Sequence, residues 1–132
     1  FSYTQGEVLY GEWLARTHSV GYDALADWLV VLDLWHAERG FVTVAERDSR
    51  AHAVGLATPP VVFEGRLGSL AALEALHARS RVGSKLAEGL VIRLEHDGRL
   101  ELRAKWLAPS FVRKSDDDWK NDERMNRLRD DP

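Results

Sequence analysis

The sequence predicts an α+β fold, antiparallel β-sheets with flanking helices, and three observations carry that reading. The clearest is a hairpin. Residues 90–95 and 100–106 flank His96-Asp97-Gly98, where Asp-Gly supplies the left-handed backbone that a tight turn needs. The second is the run Trp28-Leu-Val-Val-Leu-Asp-Leu-Trp35, too short for a good helix and rich in β-formers, which reads as a central strand buried on both faces. The third is a pair of helical segments. One covers 45–56 and ends near Gly55 and the Thr58-Pro59-Pro60 breaker. The other is capped by Ser69 and places Leu70, Leu73, Leu76 and His77 at helical spacing through Arg79.

The remaining elements follow in order. Residues 7–14 read as a strand with Val8 and Tyr10 on one face and Leu9 and Trp13 on the other. Residues 17–21 form a loop and 22–27 a short turn or helix. Short strands are expected at 41–44 and 61–63, with Gly83-Ser84 ending the second helical segment and Pro109 opening a loop. Residues 116–132 are charged and polar, with Trp119, Met125 and Leu128 as anchors for a short helix fraying into a tail. The expected division is therefore a folded portion over 1–115 and a charged helix or tail over 116–132.

At 132 residues and 45% hydrophobic, the chain holds one core and is too short for two ordinary domains. Its net charge of −3 gives no global basic field, although a local cleft can still be basic. Absence of cysteine excludes disulfides and thiolate metal sites and fits a cytoplasmic setting. No apolar run is long enough to suggest a membrane span. The five histidines show no ligand-like spacing, and no Gly-rich phosphate loop or His-Glu-x-x-His stretch is present.

Chemistry concentrates in three strings. Glu88 stands at the mouth of the apolar strand Leu90-Val-Ile, where a carboxylate is costly to bury unless it is paired or bound to a hard cation such as magnesium. Arg103 and Lys105 share one strand face, because residues two apart point the same way. Glu12 lies between Tyr10 and Trp13 after Gly11, which leaves room for a ligand against the backbone. Each also has an ordinary explanation. Glu88 reads as a strand-edge surface residue, Glu101, Arg103 and Lys105 as a solvated strand face, and Glu12 as a partner of Arg16. Trp119-Lys120 and residues 124–129 read either as RNA contacts or as a capping helix of alternating charge.

Taken in order, Leu9-Tyr-Gly-Glu-Trp13, the Trp28–Trp35 run with Asp33, Glu88-Gly-Leu-Val-Ile-Arg93 and Arg103-Ala-Lys105 resemble motifs III, IIIa, IV and V of the covalent nucleotidyltransferases. The resemblance is closest to the RNA ligase family and runs roughly from Leu9 to Lys114. It implies part of a nucleotidyltransferase (ATP-grasp-like ligase) domain that uses ATP and magnesium. In such enzymes a lysine attacks ATP to give enzyme-AMP, AMP passes to an RNA 5′-phosphate, and an RNA 3′-hydroxyl displaces it. By position, Glu12 is similar to the glutamate that contacts the ribose, Glu88 to the metal-associated glutamate, and Arg103 and Lys105 to the paired bases at the α-phosphate. The catalytic set implied is Glu88, Arg103 and Lys105; Glu12 and Leu32 join them in nucleotide binding. Nicked or broken RNA ends are the implied partners, in a cytoplasmic repair setting, with a monomeric full-length protein.

Three departures qualify the resemblance. Arg103 replaces the expected lysine but keeps the charge, and Leu32 stands where an aromatic residue would stack on adenine. The nucleophile motif Lys-x-Asp-Gly is missing: the one Asp-Gly is Asp97-Gly98, with Glu95 at the lysine position. The expectation is a ligase domain whose nucleophile lies upstream in a longer polypeptide, so that these residues alone are inactive. The alternative is a non-catalytic nucleotide- or RNA-binding remnant, and a third reading is an interaction module whose matches are accidental.

Overall fold

The computed structural model describes residues 6–111 and 124–129. Among these, the order is β1 (Glu7–Trp13), β2 (Leu29–His36), β3 (Gly40–Phe41), α1 (Val44–His52), α2 (Leu70–His77), β4 (Arg81–Val82), β5 (Lys85–Leu86), β6 (Gly89–His96) and β7 (Arg99–Leu107). Antiparallel pairing gives a three-stranded sheet β1-β2-β3 and two hairpins, β4-β5 and β6-β7. Antiparallel sheets with two helices make the chain a small α+β fold.

The apolar run becomes β2, the middle strand of its sheet, with Val31 and Leu34 fully or nearly buried. They pack with Val42 and with Ala51 of α1, flanked by Leu9 and Leu56. Expected burial on both faces holds only in part, because Leu32 is 38% exposed. Between Tyr10 and Gly11 the β1–β2 register skips Leu32, so the break in alternation lies on β2, where Val31 and Leu34, three apart, both pack into the core.

Helix α1 starts one residue earlier than the pattern suggested and stops at His52. Thr43 is its N-cap and accepts the Glu46 N–H, so of the expected 41–44 strand only Phe41 falls within β3. The Glu95 carboxylate accepts the Val44 N–H at 2.9 Å, so a β6 residue also caps α1. Ser69 caps α2 as expected, by accepting from Ala72 N. That helix closes at His77, whose Nε2 donates to the Ala87 carbonyl at 2.7 Å while its ring meets Trp106 edge-on.

The 90–106 hairpin forms as read. Asp97 and Gly98 both carry positive φ, 49° and 74°, the geometry of a two-residue primed turn. At the far end Gly89 is needed for a different reason: a Cβ there would collide with the Trp106 carbonyl oxygen. Helix α2 covers the apolar face at Trp106, and the cross-strand pair Leu94 and Leu102 near the turn is 55% exposed on each side.

Two expectations fail. Residues 61–63 form no strand, and Val61 and Phe63 lie exposed. Gly83-Ser84 is the turn of the β4-β5 hairpin rather than the close of a helix. Within the expected C-terminal helix or tail, residues 116–123 and 130–132 lie outside the described residues, Trp119 and Lys120 among them. Residues 124–129 are not helical: Met125 bridges to Arg16 and Leu128 to Leu25.

Candidate functional site

The site is assembled where the β6-β7 hairpin meets the three-stranded sheet, and Asp33 is the meeting point. Its carboxylate, on β2, is 3% exposed and receives the guanidiniums of Arg93 from β6 and Arg103 from β7. A buried carboxylate is tolerable only when paired and hydrogen-bonded, and here two cations satisfy its two oxygens. Arg93 also bonds Glu95 at 2.8 Å and the Val42 carbonyl at 2.7 Å, so one side chain ties β6 to β2 and to the β3–α1 junction.

Arg103 reaches Asp33 across Phe41, its guanidinium 4.9 Å from the ring centroid. Tyr10 meets the same ring at 5.6 Å. Lys105 follows Arg103 on the same face of β7, opposite Val91, and pairs with Glu88. Both cations remain about half exposed, at 47% for Arg103 and 52% for Lys105. They are thus neutralised by local carboxylates and still reachable from solvent.

Tyr22, which the sequence reading passed over, feels the charge of both Glu88 and Glu12. Burial first, then the negative charge of Glu88 and more weakly of Glu12, hold this phenol above its ordinary value of 10.0. Glu88 and Lys105 are in contact and Arg103 shares the Lys105 face of β7, while Glu12 stands on β1. Leu32 is the residue that the β1–β2 register skips, a bulge next to Asp33, and it is 38% exposed.

A cavity of about 410 Å³ opens nearby, walled by Ser19, His77, Leu86, Glu88, Ser110 and Phe111. Glu88 is the member of the expected site set that lines it. No cluster of three or more His, Asp or Glu suited to a metal ion exists among the described residues. Magnesium asks less: one or two carboxylates beside phosphate oxygens and water suffice. Glu88 fits that requirement, being 34% exposed and already holding a cation, the Lys105 ammonium.

Asp33, Arg93, Tyr22 and Asn126 were missed as site-building residues. Asp33 was legible in principle, as a charge inside an apolar run that must find a partner. Arg93 was legible as the end of the Glu88–Arg93 string, and no local pattern announced Tyr22 or Asn126.

Comparison with protein families settles the relationship. The family model described as RNA ligase matches residues 2–107. The chain belongs to the RNA ligase family. The match runs through β1 to the last residue of β7 and so includes Glu12, Tyr22, Asp33, Glu88, Arg103 and Lys105. Membership implies ligase-type chemistry with RNA and nucleotide partners. No curated protein and no solved structure gives a match. No helix among the described residues of this RNA ligase family member is long and apolar enough to cross a membrane.

Proposed function

We propose that the chain forms the phosphate-handling part of an ATP-dependent RNA ligase that joins RNA 5′-phosphate and 3′-hydroxyl ends, in RNA repair. The observation that carries this reading is the Glu88–Lys105 pair with Arg103 beside Lys105 on the same face of β7, all within the family-matched segment, which also contains Glu12. In this reading the two sheets are part of a nucleotidyltransferase domain, with the nucleotide lying along that face.

Each side chain has a role set by its surroundings. Lys105 exchanges the Glu88 carboxylate for the α-phosphate and stabilises charge that builds on it during attack. Arg103, fixed by Asp33 and Phe41, offers its outward N–H groups to the same phosphate. Glu12 accepts from ribose hydroxyls, and Leu32 gives an aliphatic contact to the purine. Glu88, released by Lys105, is the carboxylate that holds magnesium. Magnesium, when bound, supplies neutralisation of phosphate charge.

The lysine nucleophile is not among these residues, since no Lys-x-Asp-Gly occurs in them. The same fact favours the second reading, a nucleotide- or RNA-binding remnant without ligase chemistry. Titration calorimetry with ATP and magnesium separates either from an accidental match. Lys105→Ala should weaken binding by about tenfold or more, the loss of one charge-assisted contact. Equal affinity in the variant, or none in the wild type, rejects the site. A sealing assay with ATP, magnesium and nicked RNA should give no product from these residues alone. Product would overturn the placement of the nucleophile elsewhere.

A further inference from the structure

The phosphate-handling face leaves unused the cavity at Glu88, whose 410 Å³ is within the range of pockets that hold small ligands. Four parts of the chain wall it: Ser19 from the β1–β2 loop, His77 from the end of α2, Glu88 before β6, and Ser110 and Phe111 after β7. Hydrogen bonds fix these walls. The Ala87 N–H donates to the Ser80 carbonyl at 2.8 Å, and the Ala108 N–H donates to the Glu88 carbonyl at 3.0 Å. The loop is held from both sides. Asn126, 3% exposed, accepts the Tyr22 N–H at 2.8 Å and the Thr17 hydroxyl at 3.1 Å. The Asp23 carboxylate accepts the Ser84 N–H at 2.8 Å. A cavity framed in this way is preformed, so a ligand entering it need not first order its walls.

The polar groups of the walls decide what fits. His77 Nε2 lies 2.7 Å from the Ala87 carbonyl, which can only accept, so the proton is on Nε2 and Nδ1 is left as an acceptor. Lys105 takes one oxygen of the Glu88 carboxylate, and the other remains able to accept. The Ser19 and Ser110 hydroxyls can do either. No lysine or arginine lines the cavity, so a phosphate finds no cation inside it and one carboxylate against it. A neutral group with O–H or N–H donors, and a flat apolar body to lie on Phe111, is what these walls suit. A ribonucleoside has that chemistry. Its phosphate belongs outside, where Lys105 pairs with Glu88 and Arg103 shares the same face.

We propose that this cavity is a subsite for a ribonucleoside at the end of an RNA strand, its adjoining phosphate lying on Lys105 and Arg103. The ATP nucleoside is assigned to Glu12 and Leu32, so the second nucleoside is that of the RNA. The inference rests on the reading of Lys105 and Arg103 as phosphate-binding residues and adds what holds the neighbouring nucleoside. A sugar hydroxyl donating to His77 Nδ1, beside the free Glu88 oxygen, makes the subsite tell RNA from DNA.

The test titrates the chain, without ATP, with a short single-stranded RNA carrying a 5′-phosphate and with DNA of the same sequence, read by NMR shifts. RNA should shift Ser19, His77, Ser110 and Phe111 together with Lys105. DNA should bind about tenfold more weakly, the loss of one hydrogen bond. Ser110→Trp, at an exposed position, fills the cavity and should abolish the shifts of Ser19 and His77 with RNA while the unfolding temperature stays unchanged. Equal affinity for RNA and DNA, or RNA shifts confined to Lys105 and Arg103, overturns the subsite and leaves the phosphate reading in place. Should ATP with magnesium move the same cavity signals as RNA, the pocket belongs to the ATP nucleoside and the assignment to RNA is wrong. Equal RNA affinity in Lys105→Ala and wild type, with the cavity shifts kept, overturns the phosphate contact instead. No shift at any of these residues overturns both.

Discussion

Asp33 shows how much of the site is decided by one buried charge. With a side chain 4% exposed it cannot rely on water, and both of its cations come from the hairpin. Arg93 is the buried partner, 9% exposed, and its loss would leave Asp33 with Arg103 alone, Glu95 with the Val44 N–H alone, and the Val42 carbonyl without its guanidinium. Arg93→Leu should therefore destabilise the fold by about 3–5 kcal/mol, the usual cost of breaking a buried pair on one side. Arg39→Ala, which removes an exposed pair with Glu46, should cost far less, because solvent screens that pair. Denaturant unfolding of the two variants checks the contrast, and similar costs would mean that Asp33 is not the joint between hairpin and sheet. Asn126 makes the same point in neutral form. Asn126→Ala leaves a buried hydroxyl, an N–H and two carbonyls short of a partner, and should cost about 1–3 kcal/mol in the same assay.

At the scale of elements, what was legible followed from length and periodicity. The β6-β7 hairpin could be read because eight- and nine-residue strands show their alternation and Asp-Gly fixes the turn. Strands β3, β4 and β5 have two residues each, too few to carry a period. Residues 61–63 are apolar enough for a strand, but no neighbouring strand pairs with them, and pairing rather than composition makes a strand. Helix α1 ends in an ion-pair network that gives it a pH signature. Arg50 binds Glu7 of β1 at 2.6 Å and Arg39 binds Glu46 at 2.8 Å. Hydrogen bonds from Arg39, ahead of the charges of Arg39 and Arg50, hold the Glu46 carboxyl below its ordinary 4.5. A carboxyl lowered by folding contributes its stability above that ordinary value and loses it as pH falls through the lower folded value. Amide exchange in α1 should accordingly quicken as pH drops below 4.5, after correction for intrinsic exchange, and Glu46→Gln should remove the effect.

The whole molecule balances its site charges internally. Arg103 is matched by Asp33, Arg93 by Glu95, and Lys105 by Glu88, which is compatible with the overall charge of −3. A phosphate ligand must therefore compete with carboxylates, and the exposed pair Lys105–Glu88 yields most easily because solvent already screens it. The order of the site strings along the chain was readable, as was their face on β7. Their assembly was not, because it depends on contacts far apart in sequence: Asp33 to Arg93 and Arg103, and Asn126 to the loop that carries Tyr22. Such contacts join single polar residues and leave no repeating trace. The central claim is that Glu12, Tyr22, Glu88, Arg103 and Lys105 act as one nucleotide surface. NMR shift mapping of ATP with magnesium on the assigned chain tests it most directly. Shifts should cluster at those five residues and spare the α1 ion pairs; shifts confined to another face, or none at saturating ATP, would contradict it.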